Sequence, residues 1–143
     1  LSLAPIGAYL AVTGVFDSLP LFISFAVLFW TAGFDIIYAL QDEEFDRSQE
    51  LFSIPVWLGK KKALQLSVFL HCITAAFILI AGFNMHAGLF YWTGAAVFLI
   101  MLVYQHSIVK PDDLSRVNLA FGTTNGIASV VLGVSYILEY FIS

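Results

Sequence analysis

The sequence predicts an all-α protein of the membrane: a polytopic helical bundle of five transmembrane helices, forming one membrane domain over residues 1–143. Three observations predict it. First, 60% of the 143 residues are hydrophobic and only 11% are charged, whereas an ordinary soluble domain carries about 25% charged residues. Second, the charge is clustered: nine of the sixteen Asp, Glu, Lys and Arg residues lie between Asp42 and Lys62, and four more between Lys110 and Arg116. Third, the spans 1–16, 18–34, 63–109 and 117–138 carry no formal charge, and crossing a bilayer takes about 20 predominantly apolar residues. Together these exclude a cytosolic globule, and also disorder, which needs low hydrophobicity and high net charge.

The first helix is predicted over about 1–16. The second runs from about 20 to 40, after a turn at Asp17–Pro20. The uncharged span 63–109 is too long for one crossing and is interrupted by Gly82, Asn84, His86 and Gly88. It is therefore expected to be a hairpin, with helices over 62–82 and 88–108. The fifth helix covers 116–141. No basic segment precedes the first apolar run and no small-residue cleavage site follows it, so no signal peptide is expected. The chain begins at Leu1 rather than Met, with its first helix at the very start, which reads as a piece of a longer protein. The single cysteine, Cys72, falls mid-helix. No internal repeat or low-complexity segment is visible.

All six basic residues sit in two loops: Arg47, Lys60, Lys61 and Lys62 in one, Lys110 and Arg116 in the other. A five-helix count puts both loops on one side, and the positive-inside rule makes that side cytoplasmic. Residues 41–61 and 109–115 are thus expected in the cytoplasm and Ser143 outside. Most of the polar chemistry lies at the same end.

The segment that carries it is Asp35-Ile36-Ile37-Tyr38-Ala39-Leu40-Gln41-Asp42-Glu43-Glu44-Phe45-Asp46-Arg47. If the second helix continues past the membrane edge, Asp35, Asp42 and Asp46 lie within roughly 40° of one another on the helix, with Tyr38 flanking them. Carboxylates at i and i+4 repel, and an ionisable group within an apolar span marks a functional site by default. Two readings stand. Asp42 and Asp46 hold Mg²⁺, which takes hard oxygen ligands and is usually bound by one or two carboxylates plus substrate phosphates. Alternatively the segment is a solvated acidic face, helped by a Glu43–Arg47 pair. Arg47 and Lys60 either neutralise an anionic substrate or serve as topogenic charge. Asn118 and Asn125, seven apart, share a face of the fifth helix, where they bond between helices or line a cavity. Asp112 or Asp113 is expected to cap that helix. His71, His86 and His106 form no metal-ligand spacing. No Gly-rich phosphate loop, Ser-His-Asp set or nucleic-acid surface is visible, so no nucleic-acid partner is expected.

Gly33 through Arg47, followed by Ser53-Ile54-Pro55 and Gly59, resembles the second aspartate-rich motif of the UbiA superfamily of intramembrane aromatic prenyltransferases. The flanks agree: Leu3-Ala4-Pro5-Ile6-Gly7-Ala8 before, and Tyr104-Gln105-His106, Pro111 through Asn118, Phe121 and Asn125 after. The resemblance spans the whole chain and is greatest to 4-hydroxybenzoate polyprenyltransferases. It implies a nine-helix fold of which this chain is the C-terminal part, since the family's first motif, of the type NDxxDxxxD, is absent here. It further implies Mg²⁺ as cofactor on Asp42 and Asp46, and a polyprenyl diphosphate and an aromatic acceptor as substrates. Asp35, Tyr38, Arg47, Lys60, Asn118 and Asn125 would bind substrate. The upstream half of the same protein would be the partner, the inner (cytoplasmic) membrane the location, and ubiquinone or menaquinone biosynthesis the setting. This piece alone is expected to be inactive. The alternatives are a prenyltransferase of the same superfamily for dihydroxynaphthoate, haem, chlorophyll or lipid acceptors, or a small transporter. A transporter would need polar residues through the depth of the bundle, where the third and fourth helices offer little beyond Ser67, His71, Thr74 and Thr93.

Overall fold

The structure, a computed structural model, describes residues 1–142; Ser143, expected outside the membrane, lies beyond the described residues. Every predicted helix is present, but the first is short. Helix α1 covers Ala4–Thr13, with Pro5 in its first turn and Gly14 ending it at φ +66°, where the Gly14 N–H closes on the Leu10 carbonyl. Ten residues rise about 15 Å, half the thickness of a hydrocarbon core. Among the described residues, four helices are long and apolar enough to cross, against the five expected, and α1 is not among them.

Helix α2, Ser18–Ala39, starts where Asp17 accepts the Leu19 N–H at 2.9 Å. At Leu40–Asp42 it tightens into a 3₁₀ turn and then continues as α3, Glu43–Ser48. The second helix therefore does run on past its apolar span and past residue 40, where it was expected to end. Ser53 opens the short α4, Ile54–Leu58, with Pro55 in its first turn. Gly59, at φ +77°, turns the chain into α5, Lys60–Asn84. A turn through His86 (φ 52°) leads to α6, Leu89–Ile108. The last helix begins at Val117, widens into a π-helical turn at Leu119–Thr124 and continues as α7, Asn125–Ile142.

Helix α2 packs along α5, and α6 along α7. Small residues bring the pairs close, as membrane helices require in place of a hydrophobic drive between them. Ser67 Oγ donates to the Gly33 carbonyl at 2.7 Å, and a Cβ on Gly33 would stand 2.3 Å from His71 Nε2. On the other side a Cβ on Gly94 would meet Ser135 Cβ at 2.4 Å. The buried apolar residues form two clusters. One, at the charged end, joins Ile36, Ile37, Leu40, Ala63, Leu64, Val109, Val117 and Ala120. The other joins Ala26, Ile78, Tyr91, Ala95, Phe98, Leu102 and Ala128 in the opposite half. Large apolar residues left on the outside, such as Phe69, Ile100, Val103 and Val130, suit a surface solvated by lipid rather than water.

Candidate functional site

The charged end is built on the run of α2 into α3. The 3₁₀ turn changes the expected stripe. Three residues at three per turn advance about 60° further than three α-helical residues, so Asp42 and Asp46 rotate away from Asp35. Asp42 is exposed and Asp46 half-exposed. Asp35 lies instead in a shallow groove with Ile36, Ala39, Ile54, Leu66 and Leu70, between α2, α4 and α5. Among the described residues, no three His, Cys, Asp or Glu side chains come together as a metal-binding group. The chain supplies a pair of hard-oxygen carboxylates one turn apart.

Between those two aspartates in the sequence sits Glu43, which the second of the two readings above counted as part of a solvated face. Glu43 is only 8% exposed. Its Oε1 is bonded by the Arg47 guanidinium, and its Oε2 lies 3.6 Å from Lys60 Nζ. Lys60 also reaches Glu44 at 3.9 Å. Arg47 and Lys60 are thus brought together by an internal carboxylate. The i, i+4 spacing announced half of this arrangement; Lys60 is on another helix, and no local signal pointed to it.

The face of α2 that meets the last helix carries the remaining expected residues. The Tyr38 and Phe121 rings lie 4.4 Å apart between centroids, and Phe34 meets Phe121 edge-on. Gln41 Nε2 donates to Asn118 Oδ1 at 3.5 Å. Trp30 Nε1 donates to Asn125 Oδ1 at 3.2 Å, while Asn125 Nδ2 donates to the Phe121 carbonyl at 2.9 Å. Both asparagines therefore bond across to the second helix, Asn125 to α2 itself and Asn118 to the 3₁₀ turn that continues it. Thr124 Oγ1 donates to the Leu119 carbonyl at 3.1 Å, so side chains from its own C-terminal end close the carbonyls of the wide π turn.

A second polar group was not legible in the sequence. His71 Nδ1 lies 2.7 Å from His106 Nε2 and 2.9 Å from Gln105 Nε2, and His71 Nε2 lies 3.2 Å from the Trp30 carbonyl. The 35-residue separation of the two histidines hides their contact, which only the packing of α5 on α6 creates. Among the described residues, Gln105 Oε1 is buried without a hydrogen-bond partner.

The loop between α6 and the last helix closes on itself, with Lys110 and Asp113 exchanging backbone hydrogen bonds of 3.1 Å. Asp113, one of the two residues expected to cap the last helix, bonds within the loop instead, since that helix begins only at Val117: its Oδ1 accepts from the Ser115 hydroxyl at 2.6 Å and the Ser115 N–H at 3.0 Å. The Ser115 hydroxyl first, then its N–H, holds the Asp113 carboxyl below the usual carboxylate range.

The opposite half of the bundle holds a cavity of about 580 Å³ between α1, α2, α5, α6 and α7, walled mainly by apolar groups such as Ile23, Val27, Ile78, Phe98 and Leu132. The arrangement offers carboxylate oxygens and cationic donors at one end and an apolar cavity in the opposite half.

Comparison with known proteins completes the picture. The profile of the UbiA prenyltransferase family matches residues 1–136. The chain is 29% identical over 134 residues to a 4-hydroxybenzoate octaprenyltransferase of Shewanella woodyi, covering 92% of this chain and 46% of that protein. It is 26% identical over 124 residues to the 4-hydroxybenzoate octaprenyltransferase of Nitrosomonas europaea, covering 87% of this chain and 42% of the relative. The chain therefore spans about half the length of the curated relatives it matches. No solved structure matches it.

Proposed function

The chain belongs to the UbiA prenyltransferase family, and from that premise we propose that it is part of an integral membrane enzyme that transfers a polyprenyl group from its diphosphate to an aromatic acceptor, 4-hydroxybenzoate. The observation that carries this reading is the family match over residues 1–136. The charged end supports it: exposed Asp42 and half-exposed Asp46 share that end of an apolar bundle with Arg47 and Lys60, which meet on Glu43.

Asp42 and Asp46 fit a magnesium ion by donor type, since such an ion is usually held by one or two carboxylates and completed by water and substrate phosphate. Bound there, it would supply Lewis-acid stabilisation of the charge that develops on a departing diphosphate. The chain's own residues do the rest. Arg47 and Lys60 present N–H donors to an anionic head. Tyr38, braced on Phe121, and the asparagines of the last helix fix the wall beside it. Apolar walls exclude water from an allylic cation and accept a long isoprenoid chain. The aromatic ring takes the allylic carbon and releases its ring proton, and diphosphate leaves.

The match to less than half of each relative supports the expectation that this piece needs an upstream half. The purified piece, given Mg²⁺, a polyprenyl diphosphate and 4-hydroxybenzoate, should not turn over, and should do so when co-expressed with that half. Prenylation by neither preparation, with both folded in lipid, would sink the reading. We also place residues 41–61 and 109–115 in the cytoplasm, on the inner face of the membrane. In a Cys72→Ser background, cysteines at Gln49 and Asn84 should label from opposite sides of sealed vesicles; labelling from one side would overturn the topology.

A further inference from the structure

The carboxylate of Glu43 has no assigned role in the reading above, yet it is the buried member of an exposed neighbourhood: Gln41, Asp42, Glu44 and Phe45 around it are open. Taking a carboxylate out of water costs several kcal/mol unless partners compensate, so its position is held by its partners. They come from two elements. Arg47 is one turn further along α3; Lys60 is the first residue of α5, reached only after α4. Glu43 thus ties the start of α5 to α3. The side chains of Lys60 and Arg47 remain 28% and 63% exposed. An ammonium has three donors and a guanidinium five, so each cation keeps donors that Glu43 does not use.

We propose that Glu43 is a positioning residue for diphosphate recognition: its buried carboxylate holds Lys60 and Arg47 together at the end of the bundle that carries Asp42 and Asp46, leaving N–H donors of both cations for the anionic head of the substrate. This rests on the prenyl-diphosphate reading of the same site. Without Glu43 the two cations repel each other and regain the rotamer freedom of long side chains. Ordering them again at the moment of binding weakens affinity. Simple electrostatics predicts the opposite sign, because deleting a negative charge favours an incoming anion. The direction of the change therefore separates positioning from net charge.

The test uses the full-length protein in nanodiscs and inorganic pyrophosphate with Mg²⁺, titrated calorimetrically. Glu43→Gln should weaken pyrophosphate about tenfold, within the range of couplings inside one ion-pair network. Lys60→Ala should weaken it similarly, and the double variant should be little worse than Lys60→Ala alone. Glu43→Asp keeps the charge and should lose only a few-fold, which serves as the reading if the Gln variant does not fold. Unchanged or tighter binding in Glu43→Gln, fully additive losses, an undiminished Glu43→Asp, or no pyrophosphate binding by the wild type would each overturn the proposal. Wild-type binding without prenyl transfer to any aromatic acceptor would instead sink the enzymatic reading and leave the role of Glu43 standing.

Discussion

The two ends of the bundle each bury a glutamate, and they satisfy it in opposite ways. At the charged end Glu43, 8% exposed, meets the side chains of Arg47 and Lys60. At the far end Glu139, 5% exposed, reaches from α7 to the start of α6, where its Oε1 accepts the Gly88 N–H at 2.5 Å and its Oε2 the Tyr91 N–H at 3.1 Å. There it acts as a helix cap supplied from another helix, answering the unpaired N–H groups and positive dipole of a first turn. Backbone donors are fixed in space and belong to the fold. Long cationic side chains have donors to spare and can share them with a ligand. The same residue type, equally buried, therefore serves architecture at one end and leaves chemistry available at the other.

The sharpest way to break this contrast is at the open carboxylates. In the full-length protein, Asp42→Asn or Asp46→Asn should lower kcat/KM by 10² to 10⁴, about 2.7–5.4 kcal/mol of transition-state stabilisation, with the Mg²⁺ requirement shifted and unfolding in detergent unchanged. Glu50→Gln, on an exposed residue beyond α3, is the control. Equal, mild effects of the three would reduce the segment to a solvated face.

The far end should answer in stability rather than rate. Glu139→Ala removes a charged acceptor from two backbone donors and should cost about 3 kcal/mol, with Glu139→Gln costing about half, since hydrogen bonds to charged groups contribute about 1.5–3 kcal/mol. Denaturant unfolding measures the loss. A fall in kcat/KM at constant stability would erase the division between the ends.

Between them, the α2–α5 seam tests close packing. Gly33→Ala drives a Cβ into the buried His71 ring and should cost about 2 kcal/mol, as overpacking does. Gly126→Ala has nothing within 4 Å and should gain up to about 1 kcal/mol from helix propensity. Equal melting temperatures for the two would show that the seam is loose.

The smallest effect belongs to the 110–116 loop. Ser115→Ala should raise the Asp113 carboxyl towards its ordinary range, readable by carbon NMR of a labelled aspartate. Because the folded carboxyl is depressed, its small contribution to stability is present above the unfolded value. That contribution fades as pH falls through the folded one. No change in Ser115→Ala would mean that the Asp113–Ser115 bonds do not govern the group.

These contrasts also show what was legible in the sequence. Charge-free spans placed every long helix to within a few residues, because lipid forces one answer on an apolar run of that length. Asp42 and Asp46 stood out because their spacing is local. The rotation away from Asp35 did not, since nothing in Leu40-Gln41-Asp42 announces a tightened turn. Glu43 was hidden because Lys60, which completes its pairing, lies seventeen positions away on another helix. The His71–His106 contact was hidden for the same reason.

The wide turn at Leu119–Thr124 gives the last helix two independent phases. Its upstream part presents Asn118 to Gln41; its downstream part presents Asn125 to Trp30. A π turn amounts to one residue inserted into an α-helix, and each residue is worth about 100° of rotation. The turn thus works as a vernier between the wall of the charged end and the register of α7. Shortening it by one residue, for instance by deleting Gly122, would lock the two phases together. Either Gln41 or Trp30 would then lose its partner, so the spacing between the two asparagines carries as much information as their identity.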